Sequence, residues 1–335
     1  MKPLAAQLYR VLADGAFHSG EALARGFGVS RASVWNAVRE LEAMQLEVFA
    51  VRGRGYRLAH PVSLLDAARV ARHLGARAAA FSIEVCEAVD STNTALLARA
   101  GAPTRTVLAA EWQSGGRGRR GRAWHAGLGG ALTFSLAWRF ARGAAGLSGL
   151  SLAVGLAIAR ALEAAGAQGI SLKWPNDVLW RGRKLAGILV ELAGDALGPA
   201  LAVIGIGLNV RLAPATRERI GRGAADLASV LGEAPDRNRL LALLLLELEQ
   251  VLSRFERSGF GALRAQWRRY DAHEGRRVTL LLPDGTRARG TARAVAEDGA
   301  LVLETRAGLR RFHGGEVSLR AAGPGRAREE EAAAR

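Results

Sequence analysis

At 335 residues the chain is long enough for two or three domains, and 49% hydrophobic with 23% charged residues is an ordinary globular composition. No apolar run approaches the about 20 residues that cross a bilayer, and the N-terminal segment breaks at Asp14-Gly15 before a signal-peptide core develops. A soluble chain with no membrane partner is expected. The single cysteine, Cys86, excludes an intrachain disulfide, and the six histidines lack metal-ligand spacing. This usage points to a reducing cytoplasm, with no metal held by the protein alone.

The formal charge of +16 favours partners that carry phosphate, a solvated basic face being the plainer alternative. Of 47 basic residues only Lys2, Lys173 and Lys184 are lysine, which leaves 44 arginines. Where arginine is the default cation, a retained lysine suggests a site that needs a compact point charge rather than a planar fork.

The first 60 residues read as three helices and a hairpin. Leu4, Leu8 and Leu12 share one helical face, Ser19 caps a second helix carrying Ala22 and Leu23, and Gly26 to Gly28 form a turn. Ser30 caps a third helix that faces inward with Val34, Val38 and Leu41, leaving Arg31, Ser33, Asn36 and Arg39 outside. Residues 47–51 and 56–58 then flank Arg52-Gly53-Arg54-Gly55, a hairpin with a basic tip. Together these describe a winged helix-turn-helix, whose recognition helix and phosphate-gripping arginines suit DNA. Ser30, Arg31, Ser33, Asn36, Arg39, Arg52 and Arg54 are the expected DNA contacts.

A linker at Ala59-His60-Pro61 closes this unit, so domains are expected at 1–62, 63–272 and 273–321, with a disordered tail at 322–335. The middle unit opens with a helix over 64–74. It then alternates strands at 106–110, 131–138, 187–192 and 201–210 with helices at 91–100, 147–165 and 238–255. This predicts an α+β sheet with helices packed to one side. Beyond Arg276, runs at 278–282, 287–294 and 301–304, separated by Pro283-Asp284-Gly285 and Glu297-Asp298-Gly299, read as a small β-barrel.

Three segments carry chemistry. Gly115-Gly116-Arg117-Gly118-Arg119-Arg120-Gly121-Arg122, between Gln113 and Trp124, lets backbone amides and arginines approach an anion, and it is not a Walker A loop. A disordered RG tract is the alternative, against which its tryptophan-bearing flanks argue. Lys173-Trp174-Pro175-Asn176-Asp177 is a turn between strands whose carboxylate converges with Lys184. The strand Val203 to Val210 has glycines that permit close packing or close ligand approach.

In this order the segments, with Asp90-Ser91-Thr92-Asn93 and Arg183-Lys184-Leu185-Ala186-Gly187-Ile188-Leu189, resemble the biotin protein ligase family. Phe17-His18-Ser19-Gly20-Glu21 and Arg52-Gly53-Arg54-Gly55-Tyr56 resemble its bifunctional members, which repress biotin synthesis genes. The resemblance covers residues 4–320. It implies a multidomain α+β chain: a winged helix-turn-helix, a class II synthetase-like ligase domain and an SH3-like barrel.

It also implies biotin as substrate, ATP and Mg²⁺ as cofactors, a biotin carboxyl carrier protein and operator DNA as partners, and a homodimer in the adenylate-bound state. The catalytic residues implied are Lys184, Arg119 and Asp177. Biotin would meet Ser91, Thr92, Asn93, Gln113, Arg117, Gly118, Arg119 and Lys184. ATP and the adenylate would meet Arg117, Arg119, Arg122, Trp124, Lys173, Asn176, Lys184 and Asn209. A lipoate-type ligase and a ligase with a vestigial DNA-binding domain are the alternatives. The family's adenine-covering loop carries a tryptophan in some members; the corresponding Arg217 to Leu231 stretch has none.

Overall fold

The computed structural model describes residues 1–321 except 100, 102, 195–197, 221, 222, 283–285 and 314–317. The predicted turn at Pro283-Asp284-Gly285 and the tail at 322–335 lie outside the described residues.

Local capping explains the first helices. Proline stands at the start of α1 (Pro3–Leu12), Ser19 Oγ accepts the Ala22 N–H at the start of α2 (Gly20–Phe27), and Ser30 Oγ accepts the Ser33 N–H at the start of α3 (Arg31–Ala43). Gly28, in the left-handed region at φ 65°, ends α2, so the predicted Gly26 to Gly28 turn shrinks to one residue. Strands β1 (Val48–Val51) and β2 (Gly55–Leu58) form the hairpin, pairing Val51 with Gly55. Leu8, Leu12, Val34, Val38 and Leu41 make the core beneath them.

Helix α4 (Ala67–Leu74) begins later than the predicted 64, because Asp66 caps it while the Leu65 N–H is drawn to Glu111 and the Leu64 carbonyl to Asn238. Next come β3 (Ser82–Val89), α5 (Thr92–Leu97), β4 (Thr106–Gln113), β5 (Ala131–Phe140) and α6 (Leu150–Ala164). They are followed by β6 (Ile170–Lys173), β7 (Asp177–Trp180), β8 (Arg183–Gly194), β9 (Ala200–Asn209), α7 (Pro214–Ile220), α8 (Leu227–Leu231), α9 (Arg237–Ser258) and α10 (Arg264–Arg268).

The strands form one seven-stranded sheet in the order β3-β4-β5-β9-β8-β7-β6, antiparallel except for β3 with β4. Helices α4, α6 and α9 supply Val70, Leu156, Ile158, Leu241, Leu245 and Leu252 to the main core. The one-sided packing expected from the sequence needs one correction. Short α5 lies elsewhere, with its Leu96 in a separate cluster with Leu108, Leu201 and Val203.

The C-terminal strands β10 (Arg277–Leu281), β11 (Arg287–Val295), β12 (Leu301–Thr305), β13 (Gly308–Phe312) and β14 (Ser318–Ala321) form a five-stranded antiparallel sheet, order β13-β12-β11-β10-β14. Its end strands are not paired to each other among the described residues, so the predicted barrel is seen as a sheet. No described helix is long and apolar enough to cross a membrane.

Candidate active site and nucleic-acid interface

A cavity of about 190 Å³ opens over the β5–β9–β8 part of the large sheet. Its floor is flat because Gly187, Gly205 and Gly207 carry no side chain. A β-carbon at Gly207 would meet the Trp124 indole at 2.5 Å, and one at Gly205 would collide with the Asn93 amide.

One wall is a buried polar cluster. Ser91 caps α5, and Thr92 donates to Gln113 Oε1 from its N–H at 2.8 Å and from its hydroxyl at 3.0 Å. Ser135 Oγ lies 2.7 Å from Thr92 Oγ1 and 2.5 Å from Asn93 Oδ1. Asn93 Nδ2 in turn donates to Glu191 at 2.7 Å, and the Glu191 carboxylate also holds Arg117 Nη2 at 3.0 Å. Every rotamer here is tied by a neighbour, so the wall is organised before any ligand arrives.

The glycine-arginine segment is a small hairpin. The Trp124 N–H donates to Gly116 O at 2.8 Å, the Gly118 N–H donates to Arg122 O at 2.6 Å, and Arg117 bridges Ala123. Arg120 at φ 59° and Gly121 at φ 68° turn its tip. This leaves Arg119 facing the cavity, with Nη1 donating to Asn176 Oδ1 at 3.4 Å.

Opposite lies a cation cluster about one carboxylate. Asp177 Oδ1 is 2.6 Å from Lys184 Nζ, and Asp177 Oδ2 is 3.3 Å from Lys173 Nζ. Burial pushes the Asp177 carboxyl up, but the two ammonium groups outweigh it and hold it below the usual carboxylate range. Burial, with Arg120 beside it, lowers the Arg119 guanidinium from its ordinary value. Lys184 Nζ also sits 5.9 Å from the centroid of the Trp124 ring. Two of the chain's three lysines thus meet at one carboxylate beside one cavity.

Ser91, Thr92, Asn93, Gln113, Arg117, Gly118, Arg119, Arg122, Trp124, Lys173, Asn176, Asp177 and Lys184 all line this cavity. Asn209 does not. Its amide donates to Ala225 O at 2.9 Å and to Lys184 O at 3.4 Å, and its buried Oδ1 has no partner among the described residues. Ser135 and Glu191 hold the polar wall together; both lie in strands expected from the sequence, but neither is among the expected site residues. Among the described residues no group of three or more His, Cys, Asp or Glu could hold a metal.

On the helix-turn-helix and its hairpin, Arg31, Asn36, Arg39, Arg52 and Arg54 are exposed as expected. Ser30 and Ser33 are engaged with each other at 2.9 Å in the cap of α3. The wing is stiffened by cations over rings: Arg54 lies 4.0 Å from the Phe17 centroid, and Arg57 lies 5.1 Å from it and 5.2 Å from that of Phe49.

Comparison with known proteins follows this division. Residues 85–209 match the biotin/lipoate A/B protein ligase family, residues 273–320 the biotin protein ligase C-terminal domain, and residues 5–57 an HTH domain. The bifunctional ligase/repressor BirA of Salmonella typhimurium is 39% identical over 316 residues, spanning 94% of this chain and 97% of its own. The chain belongs to the biotin protein ligase family. Another biotin protein ligase relative, the bifunctional ligase/repressor BirA of Escherichia coli, is 38% identical over the same shares of both chains. The solved biotin protein ligase from Aquifex aeolicus in complex with biotin and ATP is 30% identical; the match covers 72% of this chain and 99% of that one, with a TM-score of 0.63.

Proposed function

We propose that the protein activates biotin with ATP, attaches it to a lysine of a biotin carboxyl carrier protein, and represses biotin synthesis genes when it holds the activated intermediate. The observation that carries this reading is a single cavity in which the tied polar wall of Thr92, Asn93 and Gln113 faces the cations Lys184, Lys173 and Arg119. The wall offers donors and acceptors to a ureido ring, and Trp124 with the glycine floor offers apolar cover to the rest of biotin.

In the first step a biotin carboxylate oxygen attacks the α-phosphorus of ATP. The bond from that phosphorus to the bridging oxygen breaks, leaving biotinyl-5′-AMP and pyrophosphate. Mg²⁺ enters with the ATP as part of the substrate. Charge gathers on the α-phosphate oxygens, where Lys184 and Arg119 are aimed, and donors so placed contribute roughly 10²- to 10³-fold in rate. In the second step the neutral amine of the carrier lysine attacks the acyl carbon, AMP leaves, and a proton is released. A carboxylate held below its usual range is a weak base, so Asp177 is assigned to orient Lys184 and Lys173 rather than to take that proton.

One recognition helix with one wing binds modestly and is readily displaced by salt. Operator binding is therefore assigned to a homodimer of the adenylate-bound form, with apo-carrier protein opposing it by consuming the adenylate. Two measurements test the reading. Protein mixed with labelled biotin, ATP and Mg²⁺ forms biotinyl-adenylate, and footprints on the promoter of the biotin synthesis genes strengthen with biotin and ATP. Absence of the adenylate overturns the ligase assignment; equal footprints in both conditions leave a ligase on a DNA tether.

A further inference from the structure

Helix α3 buries Val34, Ala37, Val38 and Leu41 to 5% exposure or less, yet the same helix holds Trp35 54% exposed. An indole left so open on a helix with a full apolar face is not part of the core beneath it. It stands between exposed Arg31 and Arg39, one helical turn from each, with exposed Ala32 and Asn36 alongside. The Arg39 guanidinium lies 5.7 Å from the indole centroid and is held by Glu42 at 3.1 Å, which limits the orientations open to the ring.

The charge around the ring selects the occupant. Each acid of α2 and α3 is already engaged: Glu21 with Arg25, Glu42 with Arg39, and Glu40 with the Lys2 N–H. With the wing arginines Arg52 and Arg54 nearby in the chain, the field over α3 is positive and suits a polyanion. An apolar surface framed by phosphate-gripping cations fits the major groove, where the one apolar feature of a base edge is the thymine methyl group.

We propose that Trp35, with Ala32 beside it, reads thymine methyl groups in the major groove, while Asn36 pairs with an adjacent adenine. This rests on the repressor reading above. Asn36 offers the donor and acceptor pair that adenine presents there, so the preferred half-site carries a thymine and an adenine at neighbouring positions.

The test uses the full chain with biotin and ATP. A preferred duplex is selected from a random-sequence library, and each thymine is then replaced by uracil, which removes only the methyl group. In the wild type, one or two uracil positions per half-site should weaken binding about 4-fold each, the factor carried by burying one methyl. Trp35→Ala should bind more weakly and be indifferent to those uracils, whereas Trp35→Phe, which keeps an apolar ring, should remain sensitive. Melting curves confirm that both variants fold. Wild-type indifference to uracil throughout, or equal sensitivity in Trp35→Ala, overturns the assignment of Trp35 while leaving DNA binding intact. If the wild type retains no duplex at any salt concentration, the repressor reading falls and this inference with it.

Discussion

Arg237 Nη2 lies 2.6 Å from Glu111 Oε2, and both side chains are almost wholly buried. The Tyr9 hydroxyl donates to the same oxygen at 3.0 Å, the Leu65 N–H donates to the other at 2.6 Å, and Arg237 also donates to Ser63 O and Ala131 O. Burial, and then the neighbouring carboxylate, raise the Tyr9 phenol above its ordinary value. Helix α1 of the helix-turn-helix is thus tied to β4 of the large sheet and to the start of helix α9 by a satisfied ionic network.

Removing one charge from this network strands the other. Glu111→Gln should cost about 3–5 kcal/mol, while Tyr9→Phe, which removes a single neutral donor, should cost about 1 kcal/mol. Chemical denaturation of the two variants checks the ordering. Deleting residues 1–62 removes Tyr9 and uncovers Leu128 and Trp112, both packed against the helix-turn-helix core. The trimmed chain is therefore expected to bind no DNA and to melt below the full chain. An unchanged melting temperature would show that the network contributes nothing.

Lys184→Arg keeps the charge and should still slow adenylate formation roughly 10²- to 10³-fold, the loss typical of one transition-state donor. The ammonium is a compact point charge between Asp177 and the Trp124 ring, whereas a guanidinium spreads its charge over a planar fork. Pyrophosphate release from ATP with biotin present reads the rate directly. A near-normal rate would end the interpretation of the retained lysine.

Arg119→Gly should impair adenylate retention more than biotin binding, because Arg119 donates to Asn176 while Thr92 and Gln113 of the polar wall are tied to each other. The escaped adenylate would then acylate lysines at random. Mass spectrometry of bystander protein in the reaction detects this. Labelling confined to the carrier would assign the loop another role.

Near the C-terminal sheet two neighbours pull stability in opposite directions with pH. Burial pushes the Asp271 carboxyl up to about 6, so between 3.8 and about 6 the folded state binds more protons and stability falls as pH rises. Burial, then Lys173 and Arg276, pull the His273 imidazole down to about 4, so between about 4 and 6.5 the folded state binds fewer protons and stability rises with pH. Relative to wild type, His273→Gln should lose stability as pH climbs through this window and Asp271→Asn should gain it. Parallel melting-temperature profiles for all three proteins would contradict both shifts.

The parts of the chain legible in advance were those written in local pattern. Helix caps at Ser19 and Ser30, the glycine-arginine loop and the convergence of Asp177 with Lys184 all announce themselves within short stretches of chain, though these do not show that the loop is a hairpin or that Lys173 joins the carboxylate. The strand over Ser82–Val89 did not, because no turn signal or long apolar run sets it off. Ser135 and Glu191 are invisible for another reason: each gains its role only when β5 and β8 bring it against Asn93. Trp35 was missed since an aromatic residue on a helix ordinarily reads as core.

Three successive residues of β4 answer to three different neighbours: Glu111 to Tyr9 and Arg237, Trp112 to the helix-turn-helix core, and Gln113 to Thr92 at the cavity. Strand residues alternate sides, so a register slip of one exchanges every neighbour at once. Substitution at any one of these positions disturbs only one of these three sets of contacts. Insertion or deletion of one residue just ahead of them would misplace all three, so β4 holds this chain to a fixed spacing as well as to particular side chains.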